Sequence, residues 1–120
     1  MADKAQMIKA IETYCRTETE KDKQAWLDLF ADSIVHEDPV GAVRNEGKEL
    51  VGAFWDNAVV GYNVELWLTE EPIVCGNEAI ALMQCRIGPD DNRQESGRIV
   101  DQFIFDDNGK ITNVRAFYSY

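Results

Sequence analysis

The chain has 120 residues, 45% of them hydrophobic, enough to close a core of its own and too apolar for a disordered segment. Its formal net charge of −10 repels phosphate backbones and anionic lipid, which argues against nucleic acid and membrane surfaces as partners and disfavours a strongly anionic substrate. Neutral or apolar small molecules are the better expectation.

From about Asp3 to Glu20, apolar residues recur at Met7, Ile8, Ile11, Tyr14 and Cys15, a helical spacing. Asp22 can cap a second helix carrying Ala25, Trp26, Leu29 and Phe30 on one face. Ile34 to Glu37 reads as a short strand stopped by Asp38-Pro39-Val40-Gly41, because proline cannot continue a central strand. Gly47 precedes a third helix, Lys48 to Asn57, with Leu50, Val51, Phe54 and Trp55 as its apolar side. Beyond Gly61 the pattern turns to strands: Asn63–Leu68, Ile73–Cys75, Ala79–Ile87, Glu95–Phe105 and Lys110–Tyr118, separated by turn clusters such as Asp106-Asp107-Asn108-Gly109. Helices first and hairpins afterwards predict one α+β domain over residues 1–120, three N-terminal helices packed on one side of a curved antiparallel sheet.

Cys15, Cys75 and Cys85 form no Cys-x-x-Cys pair and His36 is the one histidine, so a His-based metal site is not expected and free thiols in a reducing, cytoplasmic setting are. The N-terminus opens a polar amphipathic segment, and no apolar run approaches the roughly 20 residues that span a bilayer.

The chemistry-bearing candidates are acids and one tyrosine in apolar settings. Asp101 shares a strand face with Ile99, Phe103 and Phe105, where a carboxyl must find a partner, stay protonated or destabilise the fold. It is either a structural hydrogen-bonding residue or a functional acid. Asp38, before Pro39, is either a turn former or a carboxylate at a pocket mouth, available as a general base. Tyr14 lies on the apolar stripe of the first helix, where an aromatic reads first as core, although a buried phenol still needs a partner for its hydroxyl. Trp26, Phe30, Phe54 and Trp55 read first as packing, and His36 as a satisfied or solvent-facing histidine before a pocket-lining one. The run Glu18 to Lys23 reads as a solvated helix end and loop.

Taken together, these positions resemble the bacterial ketosteroid isomerases (steroid Δ-isomerases) of the nuclear-transport-factor-2-like superfamily. The sharpest piece is Leu29-Phe30-Ala31-Asp32-Ser33-Ile34-Val35-His36-Glu37-Asp38-Pro39-Val40-Gly41, and Ile99 to Phe105 and Val114 to Tyr118 are similar to later family strands. The resemblance implies a nuclear-transport-factor-2-like cone and transfer of a β,γ double bond into conjugation with a ketone. It places the general base on Asp38 and the oxyanion-hole donors on Tyr14 and a neutral Asp101. Phe30, Phe54, Trp55, Met83, Cys85, Phe103, Ala116 and Tyr118 are the expected apolar pocket, with no metal or organic cofactor implied. An apolar ketone of steroid type is the implied ligand, and a homodimer through the outer sheet face the implied assembly. Trp55 stands where family members often carry a second tyrosine bonded to the first, Ile99 where they carry proline, and His36 where they carry an apolar residue. Two alternatives remain: another chemistry of the superfamily, polyketide cyclisation or epoxide hydrolysis with Arg98 or Arg115 in the pocket, or a non-catalytic binding module.

Overall fold

The computed structural model describes residues 2–119. Helix α1 (Lys4–Glu20) buries Met7, Ile11, Tyr14 and Cys15 as the spacing predicts, and the buried stripe then continues through Thr17 and Glu18. The end of α1 is therefore not a solvated run. Thr19 Oγ1 donates to the carbonyl of Leu66 and accepts from its N–H, both at 3.0 Å, and the Lys21 ammonium donates to the carbonyl of Val64. These bonds dock the last turn of α1 on strand β3 (Glu65–Leu68), which draws Glu18 under cover.

Asp22 caps α2 (Lys23–Leu27) by accepting from the Ala25 N–H at 3.2 Å. That helix stops early. Leu29 and Phe30 leave it, and Phe30 opens strand β1 (Phe30–Glu37) opposite Ile111. Either placement seats the Phe30 ring against Trp26, 4.7 Å between centroids, so the apolar spacing alone could not separate them. The third helix, α3 (Lys48–Phe54), runs on as a π-helical segment, Trp55–Val60, which buries Trp55 and Val59.

Among the described residues, seven strands form one curved sheet that does not close: β1, β2 (Arg44–Glu46), β3, β4 (Ile73–Cys75), β5 (Glu78–Ile87), β6 (Gln94–Phe105) and β7 (Ile111–Phe117). Their spatial order is β2-β1-β7-β6-β5-β3, with β4 also on β5. The sheet is mixed, not wholly antiparallel, because β1 pairs in parallel with β7. Parallel neighbours need a long connection, and everything from β2 to β6 supplies it. The three polar residues of β2 carry no hydrophobic alternation, so that strand left no trace in the sequence pattern.

The sheet's inward face holds Ala79, Ala81, Met83 and Cys85 from β5, Asp101, Phe103 and Phe105 from β6, and Ile111, Val114 and Ala116 from β7, all buried. Period-two alternation along β6 thus turns Asp101 inward with its aromatic neighbours, as read from the sequence. Among the described residues no helix is long and apolar enough to cross a membrane.

Candidate active site

Strand β6 carries Asp101 to the inward face with 3% of its surface exposed. Its cross-strand neighbours are Ala81 on β5 and Ala116 on β7, which offer neither charge nor hydrogen bond. Oδ1 has no partner among the described residues. Burial first, and then the carboxyls of Asp38 and Glu18, push its pKa well above the usual carboxylate range. Burial of this kind favours the protonated form, in which the carboxyl has a proton to donate.

Helix α1 brings Tyr14 against the same space, held edge-on by Phe103 at 5.2 Å and Phe30 at 6.3 Å, and tilted against Trp26 at 5.7 Å. Burial keeps its phenol protonated. The partner of its hydroxyl is His36 Nε2 at 3.1 Å. Trp55 instead packs on Trp26, 4.9 Å between rings. His36 is wholly buried, and burial lowers its pKa to about 3, so the ring is neutral. Its Nδ1 has no partner among the described residues. A buried N–H without an acceptor is costlier than a lone pair without a donor. That argument puts the ring proton on Nε2, so His36 donates to the Tyr14 oxygen and leaves the Tyr14 proton to be shared between the neighbouring Glu18 carboxyl, with which Tyr14 also hydrogen-bonds, and the cavity.

Asp38 follows the last residue of β1 and is partly exposed. Tyr118 donates to its Oδ1 at 2.7 Å. Burial raises its pKa to about 6 while the Tyr118 bond pulls it back, leaving most of the group ionised at pH 7. The two aspartates thus sit in opposite protonation states within one molecule. Glu18 is a third acid, 6% exposed, accepting from Trp26 Nε1 at 3.2 Å. Burial, followed by the Asp38 charge, raises its pKa to about 8, against the opposing pull of its hydrogen bonds with Tyr14 and Trp26.

One cavity of about 750 Å³ is lined by Tyr14, Glu18, Asp38 and Asp101 together. That size suits a drug-sized organic ligand. Its other walls are mostly apolar, among them Phe54, Val59, Leu66, Ile87 and Ile99, and the lining includes the exposed Leu50 and Tyr62. No lysine or arginine lines it among the described residues. Of the residues expected to form the pocket, Phe54, Cys85 and Tyr118 are on its wall. Phe30, Trp55 and Phe103 stand one layer behind, because each ring is consumed by packing on Trp26 or Tyr14. Met83 and Ala116 instead border a second depression of about 810 Å³ shared with Leu82, Val100 and Phe117. Glu18 was the lining residue that the charge run in the sequence concealed.

Fold and site define a cone-shaped α+β pocket whose ionisable lining is acid, phenol and thiol. The chain belongs to the SnoaL-like domain family, whose profile matches residues 11–114. Among solved structures it is similar to RV0760c from Mycobacterium tuberculosis, with TM-score 0.85 and 24% identity over 99% of this chain and 95% of that one. The same protein in complex with estradiol-17beta-hemisuccinate gives 0.83 and 27%, covering 95% and 94%. A computationally designed 17-OHP binder matches at 0.82 and 28%, covering 95% and 91%. A Δ5-3-ketosteroid isomerase from Mycobacterium sp. shares the fold at 0.82 and 24%, covering 95% and 93%.

Proposed function

We propose that this protein, acting as one domain, isomerises a β,γ-unsaturated ketone of steroid type to its conjugated isomer. The observation that carries the proposal is the pairing, in one apolar cavity, of an ionised Asp38 with a protonated Asp101 and Tyr14. A proton bound to carbon needs a base of moderate strength, and Asp38, raised to about 6, is one. The enolate it creates needs donors that are already in place and dry.

In the proposed reaction Asp38 removes the proton from the carbon between carbonyl and double bond. The C–H pair becomes the new double bond of a dienolate, and negative charge moves to oxygen. Tyr14 and Asp101 donate to that oxygen, with the His36 N–H behind Tyr14. Asp38 then returns the same proton two carbons further on, so the proton is conserved and no cofactor enters. Epoxide hydrolysis is the weaker reading: Arg98 is exposed on the outer face and Arg115 is engaged with Glu37 at 3.2 Å, and neither lines the cavity.

Addition of a β,γ-unsaturated 3-oxosteroid should generate the absorbance of the conjugated enone, and Asp38→Asn should slow it at least about a hundredfold. A binding-only role is favoured by two similar structures, one in complex with estradiol-17beta-hemisuccinate and the other a designed 17-OHP binder. Saturable binding of a steroid without enone formation would select it. A homodimer is supported by Leu82, Val100 and Phe117, which stand in register across three strands on the outward face, and sedimentation reads it directly. Three cysteines without a disulfide fit a reducing, cytoplasmic setting.

A further inference from the structure

Glu18 is a buried carboxyl that the proposed reaction does not use. It lies four residues after Tyr14 on α1, so the two side chains leave the same helix face one turn apart, and both line the cavity. Trp26 Nε1 donates to Oε2, which leaves Oε1 as the atom to carry a proton. The cation that acts on it, Lys21, is committed to the carbonyls of Glu18 and Val64 instead of the carboxyl, and Arg16 pairs with Glu20. The other ionisable groups facing Glu18 are Tyr14 and Cys15 on its own helix, Asp38, Asp101 and Cys85. Among the described residues, then, only other acids, phenol and thiol share its space, apart from the engaged Lys21. A carboxyl so placed is held neutral by its surroundings.

The geometry points to Glu18 as a third proton donor of the cavity, beside Tyr14 and Asp101, suiting the site to ligands that present a keto or phenolic oxygen. Once ionised, Glu18 has the opposite effect. It offers Tyr14 an acceptor inside the protein, diverting the hydroxyl from the ligand, and sets a negative charge beside the ligand oxygen. The inference rests on the reading of the cavity as a site for such ligands.

Estradiol, a phenolic probe, should bind the wild type with an affinity that holds to neutral pH and then falls about tenfold by roughly one pH unit above the midpoint near 8. Glu18→Gln keeps an amide donor and cannot titrate, so its affinity should be level over that range. A wild-type profile without the fall, or an equal fall in Glu18→Gln, would overturn the inference. Should the wild type bind no estradiol at any pH, the ligand class fails, and carboxyl-carbon NMR of labelled glutamate decides on Glu18 alone. A resonance titrating near 8 that Glu18→Gln removes upholds the neutral donor, and titration of every glutamate in the ordinary range refutes it.

Discussion

Asp101 and Asp38 have the same side chain and differ in what surrounds it. Asp101 lies between two alanines, its Oδ1 without a partner among the described residues, whereas Asp38 is partly exposed and receives the Tyr118 hydroxyl. Burial therefore decides the first and hydrogen bonding tempers the second. Strand alternation made the Asp101 face legible in the sequence. It could not reveal how fully His36 is enclosed, since Ile34 and His36 share a face in any strand. Glu18 extends the Met7–Ile11–Tyr14 stripe by another turn, but its acidic neighbours gave it the look of a solvated residue. The role assigned to His36 is testable. His36→Phe removes the N–H behind Tyr14 and the unpartnered Nδ1 together, so folding stability should stay within about 1 kcal/mol of wild type by urea titration. Estradiol affinity should drop about tenfold, the equivalent of one hydrogen bond to a polar ligand group. Unchanged affinity would show that Tyr14 needs no donor behind it.

At the scale of elements, the connection between α1 and β3 sets the site. Thr19 Oγ1 both donates to and accepts from the Leu66 backbone, and that double bond fixes the last turn of α1 over the sheet edge. Thr19→Val keeps the branched shape and leaves both Leu66 groups without this partner. It should cost about 1–3 kcal/mol, seen as a lower urea midpoint with unchanged slope. A midpoint equal to wild type would mean that packing alone holds the helix end. Helices, turns and the long strands were readable because their periodicities are strong. Two features were not. The helix-to-strand change at Phe30 depends on pairing with Ile111, near the far end of the chain. The parallel approach of β7 to β1 is likewise a property of the closed chain, which local pattern does not encode.

For the molecule as a whole, three carboxyls raised in one cavity impose a pH dependence on folding. Unfolded, Glu18 would lose its proton near 4.5 and the aspartates near 3.8, whereas folded they hold it to about 8 for Glu18, about 6 for Asp38, and well above the ordinary range for Asp101. Between those limits the native state binds more protons than the unfolded chain, so stability falls as pH rises. The loss from pH 5 to pH 8 should be on the order of a few kcal/mol, and the net charge of −10 acts in the same direction. Urea midpoints at the two pH values measure it, and a level or rising midpoint would contradict the burial of these acids. Stability given up in this way is consistent with a cavity kept for chemistry. The cavity wall itself was only partly legible, because an aromatic residue on the right face can equally be wall or backing. Phe54 is the former and Phe30 the latter, according to which rings lie in front of them.

The central claim, an ionised Asp38 working against a protonated Asp101, is tested most directly by kcat/KM for enone formation from a β,γ-unsaturated 3-oxosteroid across about pH 5 to 9. The rate should climb through the ionisation of Asp38 near 6 and be lost in Asp38→Asn. A rate no greater than buffer, or one that survives Asp38→Asn with the same pH profile, would contradict it.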